Sequence, residues 1–233
     1  MKFLIVAGHE GTTGAVSGKL IEEVLTEQLA EKIAKVLRDQ GHEATEPDFN
    51  LYDVVDTKMD YIKGFDYVLE VHFNATPGAN GTEIYVAEGI TKIGVEKAIM
   101  QRLGKWLKLR DADGVKTAKF KTLMGLKGKV DAALLEVAFI DSKSDMAVYL
   151  KNIDAIAQDI AYGILEGFGA PIKDLTPKQN PLKPSEDLAP DGKLFQVAIG
   201  AYKNRANAND ELAKAKSAGL DPYLVLIDDP RGK

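Results

Sequence analysis

Three polar residues stand where strand-like apolar runs end. His9 follows the run 2–8, His72 closes the run 67–72, and Glu136 closes the run 132–136. Open α/β sheets bind ligands beyond the carboxyl ends of their strands. Three such strands side by side would bring two imidazoles and a carboxylate to one edge, which is the chemistry of a zinc site with a general base. Glu22 lies near the start of the next helical stretch and is joined to His9 by a loop, so it can reach the same edge. The chain has no cysteine, so any metal site must use His, Asp or Glu. A set of His9, Glu22 and His72 leaves the fourth zinc position open for water, as a hydrolytic site requires. Glu136 could then take a proton from that water and pass it to a leaving amine.

Each residue also has an ordinary reading. A histidine at a strand end is commonly a hydrogen-bonded surface group, and Glu22 and Glu23 suit the positive end of a helix dipole. His42 follows Gly41 at a helix terminus, where a capping or solvent-facing role is favoured. Glu136 resists such a reading, because a carboxylate between Ala-Ala-Leu-Leu and Val-Ala-Phe-Ile needs a partner if buried. Gly8, Gly11 and Gly14 after a strand resemble a phosphate-binding loop, but the spacing is GxxGxxG rather than GxGxxG and the signal is weak.

The elements that must position these groups alternate. A strand over 2–8 leads through a Gly/Thr loop to a helix over 19–40, with Leu25, Leu29, Ile33, Val36 and Leu37 at helical spacing. An extended piece follows His42. Strands are predicted over 66–72, 82–86 and 134–139, and helices over 94–109 and 142–168. The expected fold is α/β, a largely parallel twisted sheet flanked by helices.

The 233 residues carry a net charge of −5, with 45% hydrophobic and 28% charged residues. That balance suits a globular domain plus a small second one and argues against a sequence-independent nucleic-acid binder. No stretch approaches the roughly 18 apolar residues of a membrane span. The amino-terminal apolar run is too short for an export signal. The expectation is a monomer made in the cytoplasm, which something else must release if its substrate lies outside the cell.

Residues 1 to about 168 resemble the zinc-dependent N-acetylmuramoyl-L-alanine amidases of the amidase_3 type, found in autolysins and phage endolysins. Four motifs carry the resemblance, in order: Val6-Ala-Gly-His9-Glu-Gly11; Glu22 ahead of Leu29-Ala30 and Gly41-His42; Val71-His72-Phe-Asn74-Ala75 followed by Gly81-Thr-Glu-Ile-Tyr85; and Leu135-Glu136-Val-Ala-Phe-Ile140. The second favours Glu22 over Glu23. The resemblance implies zinc held by His9, Glu22 and His72, Glu136 as catalytic acid–base, Asn74 near the substrate, and cleavage of the amide between N-acetylmuramic acid and L-alanine in peptidoglycan. Glu10, Thr26, Val137-Ala138 and Asp141-Ser142 depart from the family pattern.

Residues 171–191 read as a proline-rich linker between a catalytic domain over 1–170 and a module over 192–233. That module is expected to be βαβ-like and resembles half of a SPOR-type peptidoglycan-binding repeat. Phe195, Gln196 and Tyr202 are its candidate glycan contacts. The alternatives are a sporulation-related host autolysin of the same activity, a nucleotide- or phosphate-binding α/β protein, and a non-catalytic wall binder.

Overall fold

The structure is a computed structural model and describes residues 1–9 and 14–173. Glu10, Phe195, Gln196 and Tyr202 lie outside the described residues. In chain order the elements are β1 (Lys2–Ala7), a hairpin of β2 (Val16–Ser17) and β3 (Leu20–Ile21), α1 (Glu22–Asp39), β4 (Glu43–Thr45), α2 (Leu51–Val54), α3 (Met59–Ile62), β5 (Tyr67–Asn74), β6 (Glu83–Ala87), α4 (Gly94–Leu103), β7 (Val115–Ala118), α5 (Lys121–Leu126), β8 (Asp131–Phe139) and α6 (Lys143–Gly167).

One six-stranded sheet runs β4-β1-β5-β8-β6-β7. Its first four strands are mutually parallel, while β6 pairs antiparallel with β8 and carries β7 parallel to itself. The expected largely parallel α/β sheet is therefore present, with one reversal. The reversal matters for function, because it places the amino end of β6 at the same edge as the carboxyl ends of β5 and β8.

Strands β1 and β5 are nearly continuous apolar runs because both their faces are covered. Phe3, Ile5, Leu69 and Leu135 pack in the larger core with Leu29 and Ile33 of α1, Ile99 of α4, and Ile156 and Ile160 of α6. The opposite face is thinner: Leu4, Val6 and Val68 meet Leu51, Val55, Ile62 and Leu126. Fully burying one such side chain contributes roughly 1.5–3 kcal/mol, so the α1/α4/α6 layer supplies most of the stability.

Some element bounds differ from expectation for local reasons. Helix α1 starts at Glu22 because the β2–β3 hairpin turns through Gly18, whose φ is 62°. Helix α4 stops at Leu103, with Gly104 as its cap. The chain beyond it runs beside Thr82, whose N–H donates to Lys108 and whose carbonyl accepts from Arg110. Helix α6 matches closely, opened by a Ser142 hydroxyl that accepts from the Asp145 N–H. Among the described residues no helix is long and apolar enough to cross a membrane.

Candidate metal centre and acid–base site

Strand register aligns the site. His72 on β5 pairs with Glu136 on β8, and Glu136 pairs with Glu83 on β6. Gly8, just past β1, donates its N–H to Val71 and lies against the His72 ring. The row Gly8, His72, Glu136, Glu83 therefore crosses four strands at one edge. A register shift in β8 after Glu136 ends the regular pairing there, as bulges beside functional sites commonly do.

Glycine makes room for both imidazoles. A Cβ on Gly8 would stand 2.3 Å from His72 Cε1, and one on Gly14 would stand 2.7 Å from His9 Cδ2 and 3.0 Å from Glu22 Oε2. Gly14 also has a φ of 94°, which glycine adopts without steric cost. His9 has a φ of 69°, in a region that non-glycine residues enter seldom. The loop glycines that read weakly as a phosphate cradle include two that seat histidine rings.

Glu22 joins the two histidines. It is 3% exposed. Its Oε1 lies 3.2 Å from His9 Nε2 and 3.3 Å from His72 Nδ1. The same oxygen accepts from the Phe73 N–H at 2.9 Å, and Oε2 accepts from the Ala15 N–H at 2.8 Å. Burial opposes charge on this carboxyl, but the imidazoles and the two N–H donors outweigh it and hold the group well below the usual carboxylate range. Thr26, fully buried one turn into α1, places its hydroxyl 2.8 Å from the Gly8 carbonyl and 2.8 Å from the Glu23 carbonyl. It ties the helix start to the end of β1.

His72 and Glu136 titrate abnormally. Burial works against charge on His72, yet Glu22, Glu70 and Glu136 overcome it and raise the imidazole to about 10. Glu136 is raised to about 7, first by burial and then by Glu22 and Glu83, against the pull of His72 and His9. Among the described residues, His72 Nε2 and Glu136 Oε2 are the buried side-chain polar atoms without a hydrogen-bond partner.

These observations fit a divalent cation. The ligand atoms of His9, Glu22 and His72 all lie within 4.8 Å of one another. Ligands about 2.0–2.1 Å from a tetrahedral zinc stand roughly 3.3 Å apart, the separation already present between Glu22 Oε1 and each imidazole. The structure thus brings His9, Glu22 and His72 together, with Glu136 beside them. His42 does not join it: it packs edge-on against Phe3 at 5.7 Å, beside the amino end of β1. Asn74 is engaged on the protein, its amide donating to Glu83 Oε1 at 3.0 Å and its carbonyl oxygen accepting from the Ala75 N–H.

Sequence reasoning missed two buried carboxylates. Glu83, 2% exposed, meets Arg110 Nε at 3.0 Å and Lys116 Nζ at 2.6 Å. Glu70, 3% exposed, sits two residues before His72 on the same strand face. The argument that singled out Glu136, a carboxylate inside an apolar run, applies equally to Glu70 in Tyr67-Val-Leu-Glu-Val-His72. Glu83 gave no such signal, since nothing in Gly-Thr-Glu-Ile-Tyr reveals that β6 runs backwards.

A parallel sheet carrying a His–Glu–His cluster and an adjoining acid at its carboxyl edge has the equipment of a metal-assisted hydrolase. Comparison with known proteins gives the family. The N-acetylmuramoyl-L-alanine amidase family profile matches residues 3–166, and a SPOR domain profile matches residues 172–226. The chain is 29% identical over 239 residues to the N-acetylmuramoyl-L-alanine amidase CwlM of Bacillus licheniformis, covering 98% of this chain and 86% of that protein. It is 27% identical over 241 residues to the sporulation-specific N-acetylmuramoyl-L-alanine amidase of Bacillus subtilis strain 168, with the same coverage. Among solved structures, the catalytic domain of the CD27L endolysin targeting Clostridia Difficile superposes with a TM-score of 0.62 at 25% identity, over 71% of this chain and 97% of that one.

The chain belongs to the N-acetylmuramoyl-L-alanine amidase family. It is an enzyme that hydrolyses peptidoglycan, and its place of action is the cell wall.

Proposed function

We propose that His9, Glu22 and His72 hold a zinc ion and that Glu136 is the acid–base group for cleaving the amide between N-acetylmuramic acid and L-alanine. The supporting observation is the convergence of three ligand atoms within 4.8 Å beside the unpartnered Oε2 of Glu136. Bound zinc would supply a Lewis acid for the scissile carbonyl and lower the pKa of water. The chain's residues do the rest. Glu22 fixes both imidazoles through one oxygen while two backbone N–H groups fix Glu22. Glu136, with a proton affinity near neutrality, accepts the proton of the attacking water and returns it to the departing alanine nitrogen. Thr82 holds the strand there, its hydroxyl donating to the Glu136 carbonyl at 3.2 Å.

In this reading the chain is a lytic enzyme of the endolysin type, with a catalytic domain over 1–170, a linker over 171–191 and a wall-binding module over 192–233. A second reading, a host autolysin of the same activity acting in sporulation, is favoured by the near full-length likeness to a sporulation-specific amidase.

The test is mass spectrometry of digested, purified walls. A free lactyl carboxyl and a new amino-terminal alanine are expected, and both should vanish in Glu136→Gln while zinc content stays near one equivalent. Cleavage at another bond, or undiminished digestion by Glu136→Gln, would overturn the assignment.

A further inference from the structure

The mechanism above leaves Glu70 unused, a buried acid beside one of the proposed metal ligands. Glu70 and His72 lie on the same face of β5, two residues apart, and Glu70 Oε1 approaches to 3.4 Å from His72 Nε2, an ion-pair separation at a ring nitrogen that has no hydrogen-bond partner in the metal-free chain. The other ring nitrogen of His72, Nδ1, faces Glu22. The far oxygen of Glu70 accepts from the Thr122 hydroxyl at 2.7 Å, and Thr122 is itself buried in α5. A line of polar groups therefore runs from the thin helical layer into the metal centre: Thr122, Glu70, His72, Glu22.

This line is hard to explain as packing. Glu70 is 3% exposed, on a face otherwise filled by Leu4, Val6, Val68 and Leu126. A buried carboxylate costs several kcal/mol unless a cation and hydrogen bonds compensate it, and a single threonine hydroxyl is modest compensation. Glu83 has an arginine and a lysine on it. Among the described residues, the ion-pair partner of Glu70 is the His72 ring. The ring also has little freedom to turn elsewhere, because Gly8 is pressed against its face. Metal-ligating histidines commonly donate their second N–H to a carboxylate, which fixes tautomer and orientation and makes the ligand more basic.

We propose that Glu70, oriented by Thr122, is the positioning residue that holds His72 as its Nε2–H tautomer, leaving Nδ1 free to bind the metal. The inference rests on the metal-centre reading given above. It needs no contact between Glu70 and substrate, so its effect is on metal retention before it is on turnover.

The experiment measures zinc affinity of the full-length chain by competition with a chromophoric chelator, for wild type, Glu70→Gln, Glu70→Ala, Thr122→Val and His72→Ala. Glu70→Ala is expected to lose roughly 10- to 100-fold in affinity, the usual cost of removing such a partner. Glu70→Gln keeps an acceptor for the Nε2–H but no charge and should lie between wild type and Glu70→Ala. Thr122→Val should lose least. His72→Ala separates the two claims. If it binds zinc as wild type does, the metal-centre reading fails. If it loses zinc while Glu70→Ala and Glu70→Gln keep wild-type affinity, the role of Glu70 alone fails. Nitrogen-15 NMR of the unaltered, zinc-loaded protein gives a readout independent of any variant. His72 should show a protonated, slowly exchanging Nε2 and a metal-shifted Nδ1, and the opposite tautomer would overturn the proposal even if the variants misfold.

Discussion

Two buried carboxylates at the same sheet edge are treated in opposite ways. Glu83 is closed by Arg110 and Lys116, with Asn74 adding a hydrogen bond. Glu22, equally buried, has two imidazoles and two backbone N–H groups. A guanidinium keeps its proton at every physiological pH and a paired ammonium keeps it nearly as well, so the Glu83 corner is electrically finished when the chain folds. An imidazole can give up its proton to a metal, so the Glu22 corner can exchange one cation for another. Glu136 lies between His72 and Glu83 in the row, pushed up by burial and by both acids. A buried acid with permanent cations is framework, and one with exchangeable partners is a place for chemistry.

The most drastic way to break this contrast is to neutralise each acid in turn. Glu22→Gln should abolish near-stoichiometric zinc and all wall-lytic activity, because one oxygen serves both imidazoles. Glu83→Gln should keep its zinc. Metal analysis after dialysis, alongside turbidity loss of purified walls, checks both. Zinc retained at one equivalent in Glu22→Gln would end the claim that the two corners differ in kind.

The next largest effect concerns pH. In the metal-free chain His72 is raised from the ordinary 6.5 to about 10, so its protonated form contributes stability that is full below about 6.5 and is lost as pH rises through about 10. Glu136, raised from 4.5 to about 7, adds a loss in the same direction between those values. Glu22, depressed, contributes stability present above 4.5 and lost as pH falls below it. The chelator-treated protein should therefore be most stable near pH 5 to 6 and lose a few kcal/mol by pH 10. Zinc should flatten the alkaline side, because it binds the deprotonated ring and takes over the proton's place. Thermal melts from pH 5 to 10, with and without EDTA, test this. A flat profile in EDTA would mean that His72 is not held as a cation in the metal-free chain.

The same contrast explains what the sequence discloses. His9, His72 and Glu136 are legible because each interrupts or ends an apolar run, and the direction of a parallel strand follows from the alternation with helices. Glu22 is legible because a helix start lies one loop away from His9. Glu83 is not, since its place depends on β6 pairing antiparallel with β8, and strand direction leaves no mark on Thr-Glu-Ile-Tyr-Val. Strand β7 is half exposed and reads Val-Lys-Thr-Ala, too weak an alternation to distinguish from a loop. Helices α2 and α3 are single turns of four residues, below the length at which helical periodicity can be recognised. Glu70 was within reach of composition arguments, but only the packing of Thr122 of α5 against it gives the residue a role.

Glu83→Gln sharpens the comparison further, through rate rather than metal. Removing that charge takes away one of the influences that raise Glu136, so the acid limb of the pH–rate profile should move to lower pH. It also leaves Arg110 and Lys116 without their shared carboxylate. Both are partly exposed, at 33% and 24% for the side chains, so the loss should fall between the 0–1 kcal/mol of surface pairs and the 3–5 kcal/mol of buried ones, at about 2 kcal/mol. A pH–rate profile unmoved in a folded variant would show that Glu83 does not act on Glu136 through its charge.

The smallest expected effect tests how the two corners are anchored. The Glu83 corner is tied down by Asp145 of α6, which accepts from the Gly81 and Phe139 N–H groups. At the Glu22 corner the hydroxyl of Thr26, shared between the Gly8 and Glu23 carbonyls, ties α1 to the end of β1. Thr26→Val keeps the volume and deletes that donor, leaving the buried Gly8 carbonyl short of a partner, at a cost of about 1 kcal/mol. Because Gly8 is the surface against which the His72 ring rests, zinc affinity should fall a few-fold as well. Thr26→Ser separates the causes, since it keeps the hydroxyl and loses only a methyl group. If the donor holds the corner together, Thr26→Ser keeps wild-type zinc affinity and Thr26→Val shows the few-fold loss. If both variants lose stability alike while zinc affinity is unchanged, packing of the methyl group is what Thr26 supplies, and the link from α1 to Gly8 plays no part in shaping the site.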